Sequence, residues 1–112
     1  MDSYKCGLFA EYYVTFHLLL RGYSILARRY RTPVGEIDLI TKKGRNVVVF
    51  EVKARRNIEV TTEIVSRKQW SRVKQAMNIF LAKNANYVDY NILFGIILYE
   101  NLFKFRIFDG TE

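Results

Sequence analysis

Apolar and polar residues along this chain follow two different periods. From about Ser3 to Leu20 the apolar positions Leu8, Tyr12, Phe16 and Leu19 recur at helical spacing, with Gly22 behind them as a stop. This predicts an amphipathic helix with that arc turned inward, Glu11 at its edge and His17 on the solvent side. Tyr23 to about Arg31, Gly35 to Thr41 and Asn46 to Arg55 are rich in Ile, Val, Tyr and Phe. Pro33-Val34-Gly35 and Lys42-Lys43-Gly44-Arg45-Asn46 separate them with turn residues, so they predict a three-strand meander. A second helix, capped by Thr61 or Thr62, runs to about Lys83 with Trp70, Val73, Met77, Phe80 and Leu81 as its buried stripe. Tyr90 to Tyr99 and Leu102 to Phe108 complete the strands, with Glu100-Asn101 as a tight turn. The run from Ile92 to Leu98 scarcely alternates, as expected of a strand buried on both faces in mid-sheet. The order α-β-β-β-α-β-β makes an α/β fold, a mixed β-sheet flanked by helices, in one domain over residues 1–112.

Two strands carry acids where a plain core strand would not. Glu51 and Lys53 share one face of their strand with Val47 and Val49, while Val48, Phe50, Val52 and Ala54 occupy the other and read as core. On the preceding strand Glu36 and Asp38 share a face, with Ile37 and Leu39 opposite. Antiparallel pairing across the turn brings Asp38 toward Glu51 and Lys53. Two carboxylates ~5 Å apart repel by about 3 kcal/mol at an effective dielectric of ~20, so they coexist only with a cation or a shared proton. A hard ion such as Mg²⁺, which takes carboxylate and carbonyl oxygens, suits such a pair. By itself a Glu-x-Lys tripeptide is an ordinary exposed ion pair.

The wider pattern narrows that choice. Gly7-Leu8-Phe9-Ala10-Glu11, Arg21-Gly22-Tyr23-Ser24-Ile25-Leu26, Tyr30-Arg31, Gly35-Glu36-Ile37-Asp38-Leu39-Ile40, Val49-Phe50-Glu51-Val52-Lys53-Ala54-Arg55 and Lys68-Gln69 follow one another in order. Together they resemble the signature of the YraN family, small bacterial proteins grouped with the PD-(D/E)XK nucleases and similar to archaeal Holliday-junction resolvases. The resemblance implies a restriction-endonuclease-like core and places Glu11, Asp38, Glu51 and Lys53 on the superfamily's active-site positions. Asp38, Glu51 and Glu11 would then hold Mg²⁺ or Mn²⁺, with the Val52 carbonyl as a further ligand. Lys53 would orient the attacking water or meet charge building on the phosphorane. Lys68, Gln69, Arg55 and Arg72 would contact substrate. One position departs from the family pattern: where relatives carry Arg-Phe-Asp after the second helix, this chain has Leu93-Phe94-Gly95.

Composition agrees with a nucleic-acid partner. The 112 residues carry 18 Lys and Arg against 11 Asp and Glu, a net charge of +7, which favours polyanions through the sequence-independent phosphate term. Half the residues are hydrophobic, with 8 Tyr, 8 Phe and 1 Trp, so the chain folds rather than remaining disordered. A single cysteine, Cys6, excludes an internal disulfide and suits a reducing compartment. The apolar stretch from Val14 to Leu20 is too short to cross a bilayer, so a cytoplasmic protein is expected. The resulting reading is a Mg²⁺-dependent endonuclease acting on DNA, and by resemblance to junction resolvases on branched DNA as a homodimer. The alternative is a catalytically inactive nucleic-acid-binding module of the same fold.

Overall fold

A computed structural model of the chain describes the backbone of residues 3–54, 66–101 and 104–108, and the side chains of 12–53, 66–99 and 106–108. Helix α1 spans Ser3–Leu20, and strands β1 Ser24–Thr32, β2 Gly35–Lys43 and β3 Asn46–Ala54 follow. Helix α2 spans Arg67–Lys83, a 3₁₀ turn covers Ala85–Tyr87, and β4 Asn91–Asn101 and β5 Lys104–Phe108 end the described chain. The expected α/β order is met. The strands form one sheet in the order β1-β2-β3-β4-β5, antiparallel except for the β3–β4 pair. That parallel pair needs a crossover, which α2 supplies.

Local chemistry sets the element ends. Gly22 takes φ +93°, and the bonds Tyr23 N–H to Leu18 O and Gly22 N–H to Leu19 O, at 3.0 and 3.1 Å, close α1 with a Schellman motif. Gly44, at φ +60°, opens the two-residue loop between the paired Lys43 and Asn46. The cap of α2 is Ser66, whose hydroxyl accepts from the Gln69 N–H at 3.1 Å. It replaces the expected Thr61 or Thr62, which lie outside the described residues, because the Ser66 hydroxyl is one turn before Gln69 and can satisfy an otherwise orphaned donor. Glu100 and Asn101 are not a turn: β4 runs through both, with a register shift between Tyr99 and Asn101.

Both faces of the sheet are covered. Ile37, Ile40, Val47 and Val49 pack with Val73, Ala76, Met77 and Phe80 of α2, while Leu39, Val48, Phe50 and Ile97 pack with Val14, Leu18 and Tyr23 on the α1 side. The face of β3 that carries Glu51 is therefore core as well, contrary to the one-sided reading. Tyr30 meets Phe80 edge-on at 5.4 Å between ring centroids, a packing role.

Helix α1 turns a different stripe inward from the expected one. Val14 and Leu18 are buried, whereas Tyr12, Phe16 and Leu19 are 59, 57 and 53 % exposed. This helix carries apolar residues almost all round, so period alone cannot select the inward stripe; packing against Phe50 and Ile97 does. His17, expected in solvent, is half-buried with its ring 4.6 Å from that of Tyr13. The α1 contribution of Leu8 lies outside the described side chains.

Candidate functional site

The site forms where the β2–β3 ladder ends. Its last pair is Leu39 with Phe50. Beyond it, the carboxylate of Asp38 accepts the Val52 N–H at 2.8 Å, standing in for the backbone acceptor that a continued ladder would provide. In an extended strand the N–H and C=O of one residue leave on the same side, so the Val52 carbonyl also points toward Asp38.

This opening has a cause in β1 and β2. Arg28 pairs with Leu39 and Tyr30 with Ile37, leaving Arg29 and Asp38 between them, and Arg29 takes φ +50°. A left-handed residue within a strand is rare outside glycine and sharply increases local twist. As a result Ile37 joins the α2 cluster and Leu39 the α1 cluster, although a regular strand would put them on one face, as expected from the sequence. The turnover at Asp38 aims its side chain along the sheet toward β3.

Glu51 lies in that opening beneath the first turns of α2. It is 3 % exposed. Its Oε2 accepts from the Gln69 Nε2 at 3.4 Å, and among the described residues its buried Oε1 has no hydrogen-bond partner. Burial, and next the negative charge of Asp38, push its carboxyl up to about 8, with Lys53 pulling the other way. An ordinary exposed ion pair is excluded for Glu51. A buried oxygen without a donor beside a second carboxylate is an arrangement that a hard cation would relieve. Asp38, Glu51 and the Val52 carbonyl are the oxygens that could hold such a cation, and their chemistry suits Mg²⁺ or Mn²⁺. Among the described residues no group of three His, Cys, Asp or Glu gathers.

Other expected residues fall around this pair. Lys53 is half-buried, two residues along β3 from Glu51 and on its face. Gln69 lines a cleft of about 390 Å³ together with Gly35, Glu36, Lys68 and Arg72. Lys68 and Arg72 are exposed. Glu36 lines the same cleft, with its carboxylate 3.7 Å from Arg31 Nε at the surface. Glu11 belongs to α1, but its side chain lies outside the described ones, and Arg55 lies outside the described residues.

One contributor went unread in the sequence. A Cβ on Gly35 would sit 2.8 Å from the Arg72 carbonyl oxygen, so this glycine lets the start of β2 close against α2 and form the cleft wall. A glycine at the start of a strand signals such close approach, and that signal was available.

Sequence comparisons agree with the motif pattern. Residues 10–99 match the model of the uncharacterised protein family UPF0102. A UPF0102 protein of Parvibaculum lavamentivorans is 36 % identical over 98 residues, covering 88 % of this chain and 74 % of the relative. Another from Mesorhizobium japonicum is 39 % identical over 95 residues, covering 85 % of this chain and 76 % of the relative. The matched span contains Asp38, Glu51, Lys53 and Gln69. On this extent of similarity the chain belongs to UPF0102, the YraN family that its motifs resemble.

Proposed function

We propose that this protein hydrolyses nucleic-acid phosphodiesters, with DNA and particularly branched DNA as substrate, using Mg²⁺ or Mn²⁺ held at Asp38 and Glu51. The observation that carries this reading is the Glu51 carboxylate: buried, one oxygen without a donor among the described residues, and next to a second acid. Such a group destabilises the fold unless it serves a bound cation or a proton.

The roles follow from position. Asp38 and Glu51 would hold the ion, with the Val52 carbonyl and Glu11 completing the set. When bound, such an ion would supply Lewis-acid chemistry and activate a water, so the site would need no histidine. The Lys53 ammonium orients the attacking water or stabilises charge that develops on the phosphorus oxygens. Gln69 holds Glu51 on one side and faces the cleft on the other. Lys68 and Arg72 on the cleft wall would bind phosphate, and Arg55 would extend that basic edge.

Helix α2 supports an anionic substrate independently. It begins with Arg67 and Lys68 and has no acid in its first turn. Cations there oppose the positive end of the helix macrodipole, an arrangement that an incoming phosphate reverses. No described helix is long and apolar enough to cross a membrane. A homodimer would place two such sites for paired cuts.

The test is cleavage of labelled four-way-junction, flap, duplex and single-stranded DNA by wild type and Asp38→Ala, with Mg²⁺, Mn²⁺ or EDTA. Metal-dependent products from wild type alone support the nuclease. Salt-sensitive binding without cleavage under every condition would assign the chain to the inactive binding module instead.

A further inference from the structure

Helix α2 divides its face of the sheet into two channels. The cleft beside Glu51 lies on the β2 side. On the β4 side is a larger groove of about 640 Å³, with Trp70 and Phe94 among its lining residues and Arg67, Lys74, Gln75 and Asn78 along the helix. Arg67, Trp70, Lys74 and Asn78 recur at three- and four-residue steps, so they form one stripe of α2. The Trp70 and Phe94 rings meet edge to face, 6.0 Å between centroids, and both are only partly buried. The Lys74 ammonium stands 5.7 Å over the Phe94 ring. Among the described residues, every charged one lining this groove is positive.

A groove built only to complete the core would not be rimmed by cations and amides. Two aromatic surfaces with cations beside them match what an unpaired nucleotide requires: a ring to stack on, a positive charge for the adjoining phosphate, and amides for the base edge. The groove is also close to the proposed site. Phe94 pairs with Val49 in the sheet, and Val49 precedes Glu51 by two residues. The backbone of Phe94 is thus about 8 Å from that of Glu51, from the rise per residue and the spacing between strands.

We infer that the α2–β4 groove binds an unpaired nucleotide of single-stranded nucleic acid, with Trp70 and Phe94 as the stacking surface and Lys74 and Arg67 on its phosphates. The inference rests on the nucleic-acid reading above and deepens it: the substrate carries a single-stranded segment beside the scissile phosphate. Charge complementarity selects this occupant over an apolar peptide.

Trp70 is the only tryptophan of the chain, so tryptophan emission, excited beyond the tyrosine absorption band, reports on this groove. The experiment titrates Asp38→Ala in EDTA with fluorescein-labelled oligo-dT of about 15 nucleotides, long enough for a typical single-strand site. Tryptophan emission and label anisotropy are read together, with a blunt duplex of equal length in parallel. The expected result is saturable quenching with the same midpoint as the anisotropy, and unchanged emission with the duplex. Lys74→Glu should weaken oligo-dT binding about tenfold, and Trp70→Ala similarly by anisotropy, as loss of one stacked base does. Lys83→Glu, the same charge change at the far end of α2, should weaken it by no more than about twofold, as a distant charge does.

Rising anisotropy with unchanged emission, or equal losses from Lys74→Glu and Lys83→Glu, would overturn the groove while leaving the nucleic-acid reading in place. No anisotropy change with any DNA would overturn both. Emission that varies with protein concentration and not with oligo-dT would give the groove to a second copy of the chain and overturn the inference too.

Discussion

The carboxylate of Asp38 holds the backbone N–H of Val52 at 2.8 Å, which ties one acid of the pair to the residue between Glu51 and Lys53. Position and charge are therefore separable at Asp38. Asp38→Asn retains an oxygen for the Val52 N–H and removes the charge that opposes Glu51 ionisation. We expect it to melt in EDTA no lower than wild type, while metal-dependent cleavage disappears. Asp38→Ala should also lose cleavage and, with the Val52 N–H left without its acceptor, should lie below Asp38→Asn in stability by about 1–3 kcal/mol. Urea melts of both variants check the order; Asp38→Ala above Asp38→Asn would mean that relief of charge outweighs the hydrogen bond.

Glu51 makes stability depend on pH with a definite sign. Its carboxyl is raised from 4.5 to about 8 in the folded chain, so between those values the folded state holds a proton that the unfolded state has released. Without metal, its contribution should fall as pH rises through that window, by about 1.4 kcal/mol per pH unit, and level off on either side. Glu51→Gln removes the proton and keeps the shape. Its urea midpoint in EDTA should exceed that of wild type at pH 8 and converge with it near pH 5.

Metal addition should reverse this penalty. At pH 7 a folded chain with Glu51 protonated must lose that proton when a cation binds, so Mg²⁺ or Mn²⁺ binding should release about one proton per site. Calorimetry in two buffers of different ionisation enthalpy measures the number directly. The melting temperature should rise with metal in wild type and remain unchanged in Glu51→Gln.

Gly35 offers a steric test of the cleft wall. A methyl group there would stand 2.8 Å from the Arg72 carbonyl oxygen, and backbone does not yield as a side-chain end does. We expect Gly35→Ala to cost about 1–3 kcal/mol and to weaken DNA binding by moving Lys68 and Arg72. The exposed Gly44, whose Cβ position meets nothing within 4 Å but has φ +60°, is the control: Gly44→Ala should cost only the strain of a left-handed residue, about 1 kcal/mol, with binding unchanged.

Much of the fold was legible before the structure. Periodicity alone placed α1, the three-strand meander, α2 and the last two strands, because each depends on which side chains neighbour one another along a helix or strand. The alternation in Glu51-Val52-Lys53 put the acid and the lysine on one face, and the hairpin turn brought Asp38 toward them. These are short-range facts. The chain carries them wherever it goes.

Long-range packing decided the rest. In α1 nearly every position is apolar, so the choice of Val14 and Leu18 over Tyr12, Phe16 and Leu19 was made by the surface offered by the sheet. The turnover at Asp38 comes from an irregular β1 partner with Arg29 at φ +50°, which no pattern in β2 encodes. The burial of Glu51 depends on α2 crossing over β3, and only that crossing changes an acid on a strand into one with an oxygen lacking a donor among the described residues and a carboxyl raised to about 8. Residue types and their spacing determined which chemical groups this protein has available. Tertiary structure determined which of them were taken out of water, because desolvation depends on everything that packs over a group and not on its neighbours in the chain.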